Sequence, residues 1–145
     1  MYFFQLLIAE QVVSQDDFAF VARLWRDWSP GFEPSLDLLA EVRASLSAPG
    51  SLEAALGYYR ALFDPARQDP SLAEIQERIG AAPIEVPTLY LHGTRDGCIG
   101  AEVLEGMEAF FPAGLQTEIV PGAGHFLHLD APEEVQRRVV DFLKV

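Results

Sequence analysis

Two short stretches, the apolar run VPTLYLHG at residues 86–93 and LQTEIV at 115–120, constrain this 145-residue chain more than anything else in it. Each has the length of a strand, and the first is nearly continuous and closed by glycine, the pattern of a buried strand. Between them Val103, Leu104, Met107, Phe110 and Phe111 mark a helix. After the second run Val135, Val139, Phe142 and Leu143 mark another. The order β, α, β, α predicts a parallel sheet with helices packed on it and a right-handed crossover. Two strands alone make a marginal sheet, so the α/β arrangement is expected to be incomplete.

Everything before Pro83 follows a different grammar. Phe18, Ala22, Trp25 and Trp28 recur at steps of three or four, predicting an amphipathic helix from Asp16 to Trp28 that SPGFEP interrupts. Leu36, Leu39, Val42 and Leu46 predict a second helix. Ser51 is placed to cap a third, whose apolar face holds Leu52, Leu56, Tyr59 and Leu62. Ser71 with Glu74 forms a capping-box pattern opening a short helix that stops at Gly80. The expected division is a helical segment over 1–82 and a β-α-β-α unit over 83–145. No internal repeat is visible.

Composition narrows the function. Twenty-two acidic residues against ten basic ones give a formal charge of −12, which repels phosphate backbones and anionic lipid heads, so neither nucleic acid nor membrane is an expected partner. Cys98 is the single cysteine, which excludes an internal disulfide and fits a cytoplasmic setting. The opening MYFFQLLIA is apolar, without a basic lead or cleavage site, and is too short to span a bilayer. It reads as core, and an apolar start of this kind suggests that something normally precedes it.

In parallel α/β sheets, functional side chains gather in loops beyond the C-terminal strand ends. HGTRDG, after the first run, carries Asp96; PGAGHF, after the second, carries His125. Delivered from one sheet edge, the carboxylate can orient the imidazole and stabilise its protonated form. Each residue also has an ordinary alternative, Asp96 as a turn-former and His125 as a loop residue. His125 and His128 with Asp96 or Asp130 could supply a few metal ligands, but two loop histidines three apart without an HExxH motif are weak evidence, and no metal or cofactor is expected.

The stretch from Val86 to Leu143 resembles the C-terminal end of the α/β-hydrolase family, with acid before histidine as in that family. The resemblance implies Asp96 as the triad acid and His125 as the base, with structural roles for His128 and Asp130. FFQ near the start and GYYR at 57–60 resemble cap motifs of epoxide hydrolases and their dehalogenase-like relatives, each of which supplies a tyrosine that polarises the epoxide. Tyr59 falls on the second motif, although its apolar neighbours equally make it a core residue. Phe3 falls on the first, with Tyr2 one residue away, and a phenylalanine has no hydroxyl to donate.

The family's nucleophile sits on a sharp strand-to-helix turn of the G-x-S-x-G kind or its aspartate variant, and no such motif occurs here. Cys98, beside the proposed acid, is a poor substitute without a depressed pKa. The expectation is therefore the C-terminal part of a capped hydrolase for a small apolar ester, epoxide or related substrate. Phe3, Tyr59 and Phe126 would line its pocket, and the nucleophile would come from an N-terminal half. The competing expectation is a catalytically silent fragment held together by self-association or a partner chain.

Overall fold

The computed structural model describes residues 2–79 and 81–144. Helices α1 (Ala9–Trp28), α2 (Leu36–Ser47), α3 (Ser51–Phe63) and α4 (Ala73–Ile79) precede strand β1 (Thr88–Gly93). Strand β2 (Leu115–Val120) and helices α5 (Leu127–Asp130) and α6 (Pro132–Leu143) come after it. Two compact units result. One holds the chain up to Arg23 together with Pro34–Ala81, and the other holds Leu24–Glu33 together with the chain from Ala82 onward.

In the strand-bearing unit β1 and β2 pair in parallel, with Thr88 opposite Leu115 and Gly93 opposite Val120. Both stretches thus form the expected strands, and β1 continues two residues past Leu91. The connection between them departs from expectation. Instead of an α-helix it forms two 3-10 turns, Ala101–Leu104 and Met107–Phe110. Gly106, at φ 73, takes the left-handed conformation between them, which breaks the helical path that the apolar spacing alone implied. Beyond β2, Pro132 opens α6, where its missing N–H costs nothing. Arg138 holds that helix to the sheet: its guanidinium meets Glu118 of β2 at 2.6 Å and Glu134 one turn back at 2.7 Å. Val120 and Ala123 are the buried apolar residues here, joined by Ser29 and His92.

The helical unit gathers around Phe4, Ala9, Val13 and Leu56, all buried. Its N-terminal 3-10 turn, Tyr2–Gln5, is tied to α3 through Arg60. The Arg60 Nε donates to the Phe4 carbonyl and its Nη2 to the Leu6 carbonyl, both at 3.0 Å, while both terminal nitrogens grip the Glu10 carboxylate. The Gln5 amide adds a 2.8 Å bond to the carbonyl of Tyr59.

Three helix starts differ from the sequence reading. α1 is two helices meeting at a break, with Asp16, Asp17 and Phe18 at φ 50, 57 and 60, so the helix expected from Asp16 to Trp28 is its second part and starts just after Phe18. Aspartate tolerates the left-handed region better than most residues, and two in succession place the break there. Ser51 does not cap α3, because Gly50 at φ 79 occupies that position without a side-chain bond. Ser71 does not open α4 either. Asp69 accepts from the backbone N–H of Ser71, and Pro70–Leu72 forms a 3-10 turn ahead of the helix. The expected stop at Gly80 lies outside the described residues, whereas Ser35 caps α2 through Leu38 N–H, in keeping with its apolar periodicity.

Candidate active site

The parallel pairing ends at Gly93 and Val120, and the loops that leave those two residues stay laced together. The Thr94 N–H donates to the Val120 carbonyl at 3.2 Å and the Arg95 N–H to the Ala123 carbonyl at 2.8 Å. The Thr94 hydroxyl accepts from Gly122 N–H at 2.8 Å. These bonds extend the sheet's register into the loops, so the residues beyond one strand are placed relative to those beyond the other.

The two side chains brought together are Asp96 and His125. The Asp96 carboxylate straddles the His125 Nδ1, with Oδ2 at 3.0 Å and Oδ1 at 3.2 Å. The Asp96 side chain is 7% exposed and that of His125 25% exposed. Oδ1 of Asp96 also accepts from the backbone N–H groups of Cys98 at 2.8 Å and Ile99 at 2.9 Å. Burial pushes the Asp96 carboxyl up, but the Ile99 amide, the His125 ring and the Cys98 amide outweigh it and hold the group below its ordinary range. A charged acceptor at Nδ1 selects the tautomer with its proton on that nitrogen. The second nitrogen, Nε2, is then left with a lone pair, which is what a general base requires.

Neither loop stands alone. The carbonyl of Trp28, the last residue of α1, accepts from both Gly97 N–H and His125 N–H at 3.0 Å. Ser29, fully buried, accepts at Oγ from Phe126 N–H at 2.9 Å. The Trp28 indole meets the His125 ring edge-on, centroids 5.3 Å apart. Sequence reasoning missed Trp28 and Ser29. The available signal was glycine: a Cβ at Gly97 would stand 2.1 Å from the Asp27 carbonyl oxygen, and one at Gly124 would stand 2.4 Å from the Ser29 Cα. Asp130 accepts from the Gly124 N–H of the same loop through Oδ2. Its Oδ1 is buried without a partner among the described residues.

Phe126 lies against Trp25 at 5.3 Å and Trp28 at 6.1 Å between centroids, beside His125. In the helical unit Phe3 packs on Phe20 at 5.3 Å and Tyr59 on Phe4 at 4.8 Å, so both belong to an aromatic cluster there. Tyr2 projects outward, 82% exposed. The Cys98 thiol is pushed up by burial and by the Asp96 charge, which disfavours the thiolate that a nucleophile needs. His92 is buried in β1 with its Nδ1 3.3 Å from the Tyr90 hydroxyl. That phenol is raised by burial and then by Asp96.

The alpha/beta hydrolase fold family matches residues 21–132. Epoxide hydrolase 3 of Xenopus tropicalis is 33% identical over 152 residues, covering 99% of this chain and 38% of that protein. A structure from Klebsiella pneumoniae subsp. pneumoniae, provisionally described as an epoxide hydrolase, superposes with a TM-score of 0.84 at 22% identity over 99% of this chain and 48% of its own. The Cif epoxide hydrolase of Acinetobacter nosocomialis gives a TM-score of 0.70 at 27% identity, with 98% and 44% covered. The chain thus spans less than half the length of these relatives. With the family matched from the last turns of α1 to the start of α6, and with epoxide hydrolase-like proteins as relatives, the chain belongs to the alpha/beta hydrolase fold family.

Proposed function

We propose that this chain carries the acid and base of a hydrolase for a small, mostly apolar epoxide, ester or related substrate, and that an N-terminal half supplies the nucleophile. One observation carries the reading: the Asp96 carboxylate spans the His125 Nδ1 at 3.0 and 3.2 Å from a loop that the sheet register fixes. Asp96 steadies His125 and balances the charge that develops on it. His125 takes the proton of an attacking serine or, after attack by an aspartate, activates the water that hydrolyses the covalent intermediate. Acid and base alone lack the nucleophile and the oxyanion donors, so the isolated chain is expected to be inactive.

Residues 1–82 act as the cap in this reading, and Phe126, beside His125, is an apolar substrate contact. The kinship with Epoxide hydrolase 3 supports epoxides as the first substrates to try. The test is to combine the chain with the N-terminal half of an epoxide hydrolase-like relative and assay simple epoxides and esters. Hydrolysis that falls away in His125→Ala is the expected result; activity indifferent to that substitution defeats the assignment.

A silent, self-associating chain is the second reading, favoured by the apolar side chains it leaves in solvent, Leu7 at 90% and Ile79 at 73% exposure. Light scattering after size exclusion tests this second reading: a well-behaved monomer opposes association, whereas a dimer is compatible with both readings.

A further inference from the structure

We infer that the backbone turn at Trp28–Ser29 is a positioning element for the Asp96–His125 pair, clamping the acid loop and the base loop to a common point. The inference rests on the acid–base reading of Asp96 and His125 and adds to it a third segment, distant in sequence.

Three hydrogen bonds make the clamp. The Trp28 carbonyl accepts one N–H from the acid loop, that of Gly97, and one from the base loop, that of His125 itself. A carbonyl oxygen has two lone pairs, and here each is committed to a different loop. The Ser29 hydroxyl takes the next amide of the base loop, Phe126, from a position 97 residues earlier in the chain. Gly97 comes directly after the acid and Gly124 directly before the base. At both places a side chain would collide with backbone of the Asp27–Ser29 segment. Both loops are therefore cut away at the point where this segment enters.

The geometry explains why a clamp matters. Asp96 and His125 sit on separate loops, and a displacement of about 1 Å at either one is enough to break a catalytic contact. The bonds at Thr94, Arg95 and Gly122 fix the loop bases. The Trp28–Ser29 turn holds the backbone immediately beside both working side chains. Because it uses main-chain atoms at Trp28, the indole is dispensable for the clamp, whereas the bond to the Phe126 amide needs the Ser29 hydroxyl.

The test uses the full chain uniformly labelled with nitrogen-15, comparing the ring signals of His125 in alkaline buffer, where the two neutral tautomers are distinguished. The expected result is an Nδ1-protonated His125 in the parent chain and in Trp28→Phe. Ser29→Ala should show a mixture of tautomers with amide exchange at Phe126 faster by roughly tenfold, and Ser29→Thr should restore the parent pattern. An unchanged tautomer in Ser29→Ala alongside a changed one in Asp96→Asn overturns the clamp and leaves the acid–base reading standing. An unchanged tautomer in Asp96→Asn removes both. Should Ser29→Ala fail to fold, the parent chain still decides: the amides of Gly97, His125 and Phe126 must exchange through one shared opening, and three separate openings overturn the inference.

Discussion

Gly124 passes Ser29 so closely that a Cβ at position 124 would lie 2.4 Å from the Ser29 Cα. No rotamer change relieves that approach, because the obstacle is backbone. Gly124→Ala is therefore expected to destabilise the chain by about 1–3 kcal/mol, the usual cost of overpacking a fitted interior. Gly57→Ala, at a helical glycine with open space around it, should not. Denaturant midpoints of the two variants check the contrast.

Asp96→Asn should cost the assembled enzyme about 10⁴-fold in turnover, since an amide facing Nδ1 favours the wrong imidazole tautomer. Substrate affinity is expected to change little by comparison. Steady-state kinetics with an epoxide that the assembled protein accepts measure both quantities, and a loss confined to KM contradicts the assigned role.

The Glu10–Arg60 pair makes the N-terminal turn acid-sensitive. Hydrogen bonding to Arg60 lowers the Glu10 carboxyl to about 2, below its unfolded value. A depressed carboxyl stabilises the fold above the unfolded pKa and loses that contribution as pH falls through the folded one. Glu10→Gln should therefore cost about 1 kcal/mol near neutrality, allowing for partial solvent screening. The difference from the parent chain should shrink between pH 4.5 and about 2. Thermal melts of both proteins across that interval provide the check.

Cys98 should behave as a sluggish thiol. Burial and the neighbouring Asp96 charge both raise it above its ordinary range, so alkylation at neutral pH is expected to lag behind a free cysteine and to accelerate only in alkali. Cys98→Ser should leave the assembled enzyme's turnover within about twofold, because no step is assigned to the sulfur.

The strands and the loops carrying Asp96 and His125 were legible because each rests on a local pattern, a short strand-length stretch followed by a glycine-containing turn. The connection between the strands was not. Its apolar residues suit either a 3.6-residue or a tighter turn, and Gly106 at φ 73 decided for the latter. Caps are not legible from sequence where a neighbour competes, as Asp69 does with Ser71. The role of Trp28 is hidden for a deeper reason. Its contribution is a carbonyl, which every residue possesses, and its partners lie far along the chain. Gly97 and Gly124 record the crowding only once one knows what crowds them.

The parallel register, Gly93 beside Val120, serves as a ruler for the chemistry at the loop tips. Sliding one strand by a single residue would carry its loop roughly 3.3 Å along the sheet and turn its side chains to the opposite face. Insertions and deletions should accordingly be tolerated in the winding stretch between Gly100 and Pro112, which can absorb slack. Within either strand, one residue gained or lost would part the carboxylate from the imidazole while leaving both in the chain.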